Sequence, residues 1–202
     1  MPLLLSKQIN ANSAYAVWNI QETFLELPYL SPEPYPAELH PVRQAEWIIG
    51  RVLIKRLCEQ FNIEYKGIGS EATGKPFLLD KPANISISHS FPMACAMVHL
   101  HQPCGIDIEM PRAQMVKVQN KYLHPSEFAY RNDLEKLCII WCAKEVMYKI
   151  YGRKRLSLKD ELQVSFNGDS LLHGINIKEK SHVEHQIRYE QVKDYILGYN
   201  VA

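Results

Sequence analysis

A chain of 202 residues, 47% hydrophobic and 22% charged, has the make-up of a soluble globular protein with room for one sizeable core or two small ones. Its formal charge of +1 excludes a broad nucleic-acid surface, so any phosphate ligand must be met by local basic groups. No stretch approaches the roughly 20 apolar residues of a membrane helix. The opening Met1-Pro2-Leu3-Leu4-Leu5-Ser6-Lys7 has a three-leucine run but no charged leader, unlike a secretory signal. The five cysteines (Cys58, Cys95, Cys104, Cys138 and Cys142) are odd in number and match no zinc spacing. They read as reduced core thiols, which places the protein in the cytoplasm.

In chain order, Ala14 to Ile20 is predicted as a strand, and Pro28 to Pro41, with five prolines, as a loop. Pro41 to Phe61 is predicted as a helix. Val42, Ala45, Ile49, Val52 and Leu53 recur at helical spacing, and Pro41 suits the first turn. Arg43, Trp47, Gly50 and Ile54 share another face of it. Strands are expected at Glu64 to Ile68, Ile85 to Ser88 and Met93 to Leu100, with turns at Gly74-Lys75-Pro76 and His101-Gln102-Pro103. Gly105 to Glu109 follows as a further strand, and the succession suggests a meandering antiparallel sheet.

Beyond Pro111, Ala113 to Tyr122 is expected as a short helix, and His124-Pro125-Ser126-Glu127 as a fresh helix start. Asn132-Asp133-Leu134-Glu135 resembles a cap with glutamate at the third helical position, opening a helix that ends near Gly152. The tail returns to strands at Leu162 to Phe166, Ile187 to Tyr189 and Tyr195 to Val201, with a turn at Asn167-Gly168. The order strand, helix, strands occurs twice, which suggests two related α+β halves without a visible sequence repeat.

The chemistry concentrates in Gly105-Ile106-Asp107-Ile108-Glu109. A strand's period of two sends Asp107 and Glu109 to one face and the isoleucines to the other. Like charges on one face repel unless a cation sits between them, so the pair is either a solvated surface feature or a magnesium site. Magnesium keeps several waters and takes only one or two carboxylates plus phosphate oxygens. Glu145 offers a third carboxylate, with Lys149 one turn beyond; the two form either an exposed i,i+4 ion pair or a metal ligand beside a phosphate-facing ammonium. Ser86-Ile87-Ser88-His89-Ser90 places a histidine among hydroxyls at a strand end, as a structural feature or a phosphate cradle. Singly, Lys75 and Arg43 are surface residues, and Glu127 is an acid in a helix's first turn.

Taken in order, these pieces resemble the 4′-phosphopantetheinyl transferase superfamily in its long, internally duplicated form. The matching residues are Arg43 on an early helix, Gly74-Lys75-Pro76, Ser88-His89-Ser90, the Gly-x-Asp-x-Glu strand from Gly105, and Trp141 to Lys149 as the Trp-x-x-Lys-Glu helix. Tyr122 to Glu127 is similar to the family's aromatic-to-glutamate segment. The two acidic motifs stand about 35 residues apart, and the resemblance runs from Arg43 to Gly152. Val146 replaces the usual alanine, a packing difference. Lys7 is the sole lysine or arginine before Arg43, and the amino-terminal contacts that some members make to the coenzyme are not assigned to residues of this chain.

The resemblance implies an α+β pseudo-dimer of two similar halves, residues 1–103 and 104–202, with the active site in the cleft between them. It implies magnesium-dependent transfer of 4′-phosphopantetheine from coenzyme A to a serine of an apo acyl or peptidyl carrier protein, releasing adenosine 3′,5′-bisphosphate. Asp107, Glu109 and Glu145 would bind Mg2+, and Glu145 and Lys149 would be catalytic. Arg43, Lys75, Ser88, His89 and Lys149 would hold coenzyme A, and the carrier would dock near Met110 to Leu123. A monomer with no nucleic-acid or membrane partner is expected. Two alternatives stand beside it. A metal-dependent nuclease or phosphodiesterase wants a lysine two residues past the second acid, where this chain has Pro111. A non-catalytic carrier-binding homologue would have no use for an intact acid set.

Overall fold

Leu3, Leu4 and Leu5 open a strand, β1 (Leu3–Asn10), which pairs antiparallel with β2 (Ser13–Asn19). In this computed structural model, which describes residues 3–152, 155–178 and 182–201, the chain divides into two units, Met1–Cys104 and Gly105–Ala202. Met1 and Pro2 of the opening segment lie outside the described residues. After β2 the first unit continues with a one-turn helix α1 (Leu27–Leu30), then the long helix α2 (Pro41–Gln60). A small hairpin follows, β3 (Ile68–Ser70) and β4 (Pro76–Leu78), and then β5 (Asn84–Ser90) and β6 (Met93–His99). The long strands form one antiparallel sheet in the order β1-β2-β6-β5.

Helix α2 begins where the proline predicts, with Pro41 in the first turn and the His40 ring accepting from the Val42 N–H. Its buried Ala45, Ile48, Ile49, Leu53 and Leu57 pack with Ala14, Ala16, Trp18, Ala94, Ala96 and Val98 of the sheet. Four alanines on that sheet surface let the helix approach closely. Gly50 passes beside β5, where an added Cβ would lie 3.0 Å from Ile87 Cγ2. This seats the Arg43–Trp47 edge of the helix next to the end of β5.

Two expectations are corrected in this unit. The stretch Glu64 to Lys66 is not in a strand; Gly67, at φ +112°, turns the chain, and pairing begins only at Ile68 opposite Leu78. The proline-rich stretch predicted as a loop from Pro28 begins inside a helical turn, α1, anchored by buried Leu27.

In the second unit, β7 (Ile106–Glu109) leads to α3 (Ala113–Val118), a 3₁₀ turn at Gln119–Lys121 and another at Pro125–Tyr130. Then come α4 (Leu134–Tyr151), β8 (Leu162–Phe166), β9 (Leu171–Asn176), β10 (Val183–Val192) and β11 (Tyr195–Asn200). The antiparallel sheet runs β7-β11-β10-β9-β8, so β7 is an edge strand. Asp133, not Asn132, caps α4, its Oδ1 accepting from the Lys136 N–H at 3.1 Å. Asn132 is left-handed at φ 63°, and its side chain is engaged with Gln119 Nε2 at 2.8 Å. Gly152 closes the helix at φ 66°.

Buried Cys138, Ile139, Cys142, Ala143, Val146 and Met147 of α4 pack with Leu162, Val164, Leu172, Ile187 and Ile196. The helix sits so close to the sheet that a Cβ on Gly105 would run into the Val146 carbonyl oxygen. The protein is thus mixed α+β, with two main antiparallel sheets, each carrying one long helix. All five cysteines are buried and none forms a disulfide.

Candidate active site

The register of β7 decides where its acids point. Asp107 lies opposite Gly198 and Glu109 opposite Ile196. Ile196 belongs to the core under α4, and a Cβ on Gly198 would stand 3.2 Å from Cys142 Cβ on that helix. Cross-strand partners share a face, so both carboxylates face α4 while Ile106 and Ile108 bury on the other side.

Helix α4 answers with Lys149. Its Nζ lies 2.8 Å from Asp107 Oδ1 and donates to the Ile106 carbonyl at 2.7 Å. An ammonium from the same unit thus meets the first acid of the strand. Lys149 does not simply pair along the helix surface with Glu145; it reaches across to the strand, where Asp107 is only 4% exposed and the pair is shielded from water. Glu145, partly buried, has its pKa pushed up to about 7. Burial is the largest cause, the charge of Asp107 adds to it, Lys149 opposes it and Glu109 contributes last. Three carboxylates and one ammonium thus form a single electrostatic unit.

Among the described residues, no group of three or more His, Cys, Asp or Glu side chains is gathered at metal-ligand spacing. The donor chemistry nevertheless fits magnesium. The set is all carboxylate oxygen, and one or two such ligands suffice when water and phosphate oxygens supply the rest. Beyond burial, the like charges of Asp107 and Glu109 raise the Glu145 pKa, and that repulsion is what a divalent cation would offset.

Lys144 and Glu127, neighbours of this set, are not at the surface. Their side chains are both 0% exposed, with Lys144 Nζ 2.7 Å from Glu127 Oε2. Lys144 also donates to the carbonyls of Tyr122 and Leu158 at 2.7 and 2.9 Å. Glu127 accepts from the backbone N–H groups of His124 and Val164, each at 2.8 Å. Burial lowers the lysine's pKa and the Glu127 charge opposes it. Glu127, expected as an exposed first-turn acid, is instead a core residue that ties α4 to the preceding 3₁₀ turn and to β8. Trp141 stacks edge-on against Tyr122, ring centroids 5.1 Å apart. These contacts fix the rotation of α4 and with it the direction of Glu145. The His-x-x-Glu spacing of a capping box, read together with a lysine inside an apolar helix, was the available signal for this pair.

In the first unit the expected coenzyme residues separate. Arg43 and His89 converge on Glu46: Arg43 Nη1 lies 2.9 Å from Glu46 Oε2, and His89 Nδ1 3.1 Å from Glu46 Oε1. With Leu39, Trp47, Gly50, Arg51 and Ile87 they line a pocket of about 380 Å³. Arg51 stacks over the Trp47 ring at 3.3 Å and pairs with Glu33 at 2.6 Å. Ser88 is not in this group; along β5, Ser86, Ser88 and Ser90 are buried on one face while Ile87 and His89 occupy the other. Lys75 lines a different pocket of about 460 Å³, with Lys81, His101 and Phe77. The residue that sequence reasoning missed is Glu46, although its i,i+3 spacing from Arg43 marks a helical ion pair.

Residues 103–200 match the sequence model of the 4′-phosphopantetheinyl transferase superfamily. That part of the chain, which contains Asp107, Glu109, Glu145 and Lys149, carries the domain of this superfamily, which supports a transferase. No curated protein matches the chain. No helix among the described residues is long and apolar enough to cross a membrane.

Proposed function

We propose that the protein transfers 4′-phosphopantetheine from coenzyme A to a serine of an apo acyl or peptidyl carrier protein, with Mg2+, releasing adenosine 3′,5′-bisphosphate. The observation that carries this reading is the Lys149–Asp107 contact within the domain matched to the superfamily, beside a Glu145 perturbed by both strand acids. The two units are read as the related halves of the long family form.

In this reading Asp107, Glu109 and Glu145 hold the magnesium ion, whose chemistry is to offset charge on the pyrophosphate oxygens. Glu145 is the proton acceptor for the serine hydroxyl, since a carboxylate with proton affinity near neutrality suits that task. The serine oxygen bonds to the β-phosphorus as its bond to the bridging oxygen of the α-phosphate breaks. The electron pair leaves with adenosine 3′,5′-bisphosphate. Lys149, held by Asp107, places an ammonium where the transferring phosphoryl group gathers charge. Arg43, Lys75, Ser88 and His89 are assigned to the adenylate and its phosphates.

The carrier is assigned to Met110 to Leu123. Lys117 and Lys121 are exposed there, while Met115, Val116 and Val118 tuck against the cores beneath, so the docking face is basic more than apolar. Acidic carriers would be steered to it by charge. The protein is read as a cytoplasmic monomer. The test is to incubate it with coenzyme A and several apo carriers, with Mg2+ or with chelator, and read intact masses. Magnesium-dependent addition of phosphopantetheine to at least one carrier is expected; no addition to any carrier defeats the proposal.

A further inference from the structure

The pocket at the end of β5 contains a carboxylate where an anion is meant to bind, and this requires explanation. Glu46 is 7% exposed at its side chain, in the second turn of α2. Each of its oxygens is given to a different cationic or potentially cationic group, Oε2 to Arg43 on the helix and Oε1 to His89 on the strand. It therefore bridges two elements and sets two recognition side chains at once. Arg43 has 63% of its side chain exposed and would otherwise sample many rotamers. The contact of Nδ1 with Glu46 fixes the orientation of the His89 ring. Arg51 in the same pocket is held in like manner, by Glu33 and the Trp47 ring. The pocket lining thus presents two guanidiniums, each oriented by its own carboxylate, Arg43 by Glu46 and Arg51 by Glu33.

We infer that Glu46 is a positioning residue that presets Arg43 and His89 to receive a phosphate monoester. This rests on the coenzyme A reading, in which the monoester is the ribose phosphate. A helix-surface ion pair would need neither the burial of Glu46 nor its second contact on β5. Preorganisation predicts a loss confined to ligands that carry the monoester.

The test compares Glu46→Gln, Glu46→Ala and Glu46→Asp with the wild type, using coenzyme A and dephospho-coenzyme A as donors to one apo carrier. Glu46→Gln and Glu46→Ala should raise KM for coenzyme A about tenfold with kcat within about twofold, and leave KM for dephospho-coenzyme A within about twofold. Glu46→Asp should recover most of the loss. Equal losses on both donors, or no loss on either, overturn the inference. If Glu46→Ala fails to fold, the near-isosteric Glu46→Gln carries the comparison. Calorimetric binding of adenosine 3′,5′-bisphosphate and adenosine 5′-monophosphate provides a readout independent of transfer. Should the wild type transfer nothing yet prefer the bisphosphate, with Glu46→Gln erasing that preference, the transfer reading falls and Glu46 keeps its role. Should transfer occur with binding indifferent to Glu46, the reverse holds.

Discussion

Gly105 offers the sharpest test of how the fold positions the acidic site. Its backbone is outside the left-handed region, so Gly105→Ala carries no conformational penalty and the cost is steric alone. The new Cβ would overlap the Val146 carbonyl oxygen and lie 3.1 Å from its carbonyl carbon and 3.2 Å from Ile150 Cγ1. Carbon-to-oxygen contacts settle at roughly 3.3–3.6 Å, so α4 or β7 must retreat by about 1 Å. A backbone atom cannot swing aside as a side-chain tip does. Overpacking of this kind costs about 1–3 kcal/mol, and for a chain of this length about 2 kcal/mol lowers the melting temperature by roughly 4–8 °C. The same shift acts on Lys149, about one turn along α4 from Val146, and would stretch its 2.8 Å contact with Asp107 toward 4 Å. Misplacement by about 1 Å can reduce turnover by roughly 100-fold. Thermal melts and transfer rates are to be measured for Gly105→Ala beside Gly198→Ala, whose Cβ would meet Cys142 of the same helix no closer than 3.2 Å, at its Cβ, with the backbone atoms at 3.6 and 3.7 Å. The larger loss should fall on Gly105→Ala in both. A Gly105→Ala protein that melts and turns over like the wild type would refute the claim that this contact seats α4.

The remaining expectations concern charge. Glu145 in the folded, metal-free protein has a pKa of about 7 against an ordinary value of 4.5, so its contribution to stability is fully present below pH 4.5 and is lost as pH rises through 7. In chelator, Glu145→Gln should therefore be the more stable protein at pH 8, by up to about 3 kcal/mol, with the gap closing below pH 4.5 in denaturant titrations; a pH-independent gap would contradict the assignment. Lys144→Met alone strands a buried carboxylate and should destabilise by about 3–5 kcal/mol, whereas adding Glu127→Leu should recover much of that; additive losses would show that the pair is not coupled. Lys149→Ala should lower kcat roughly 100-fold or more with a small change in KM for coenzyme A, and a pure KM effect would reassign it to ground-state binding.

Much of the frame was legible because its signals are local. Period 3.6 apolar residues and terminal Pro41 and Gly152 mark the two long helices, alternating runs mark β5 and β8, and short, mainly apolar runs mark β2, β6 and β11. Strand β1 escaped notice because its composition shows little alternation on a half-exposed edge, and β9 because Gly174 interrupts it. A Cβ on that glycine would run into the Met147 sulfur, so the methionine side chain packs into the space the glycine leaves. At the candidate site, the shared face of Asp107 and Glu109 follows from the strand period. That this face looks onto α4 does not, because it depends on which strand pairs with β7. Lys149 could be named from its motif but not paired, since Asp107 lies far away in the chain. Glu127 and Glu46 were the least legible. A buried glutamate and a surface one look alike in sequence until a distant lysine or histidine arrives to meet it.

The five sealed cysteines make the protein its own opening gauge. Burial pushes the Cys58 and Cys104 thiols up to about 11 and about 12, so little thiolate exists near neutrality and none of the five side chains is exposed to a reagent. Alkylation then proceeds only through molecules that have transiently opened. Cys58, Cys95 and Cys104 belong to one unit, Cys138 and Cys142 to the other. An intact-mass time course without denaturant will therefore sort molecules by how many adducts they gain together. Adducts arriving in separate groups of three and two would mean that the units breathe independently, and five arriving at once that they open as one.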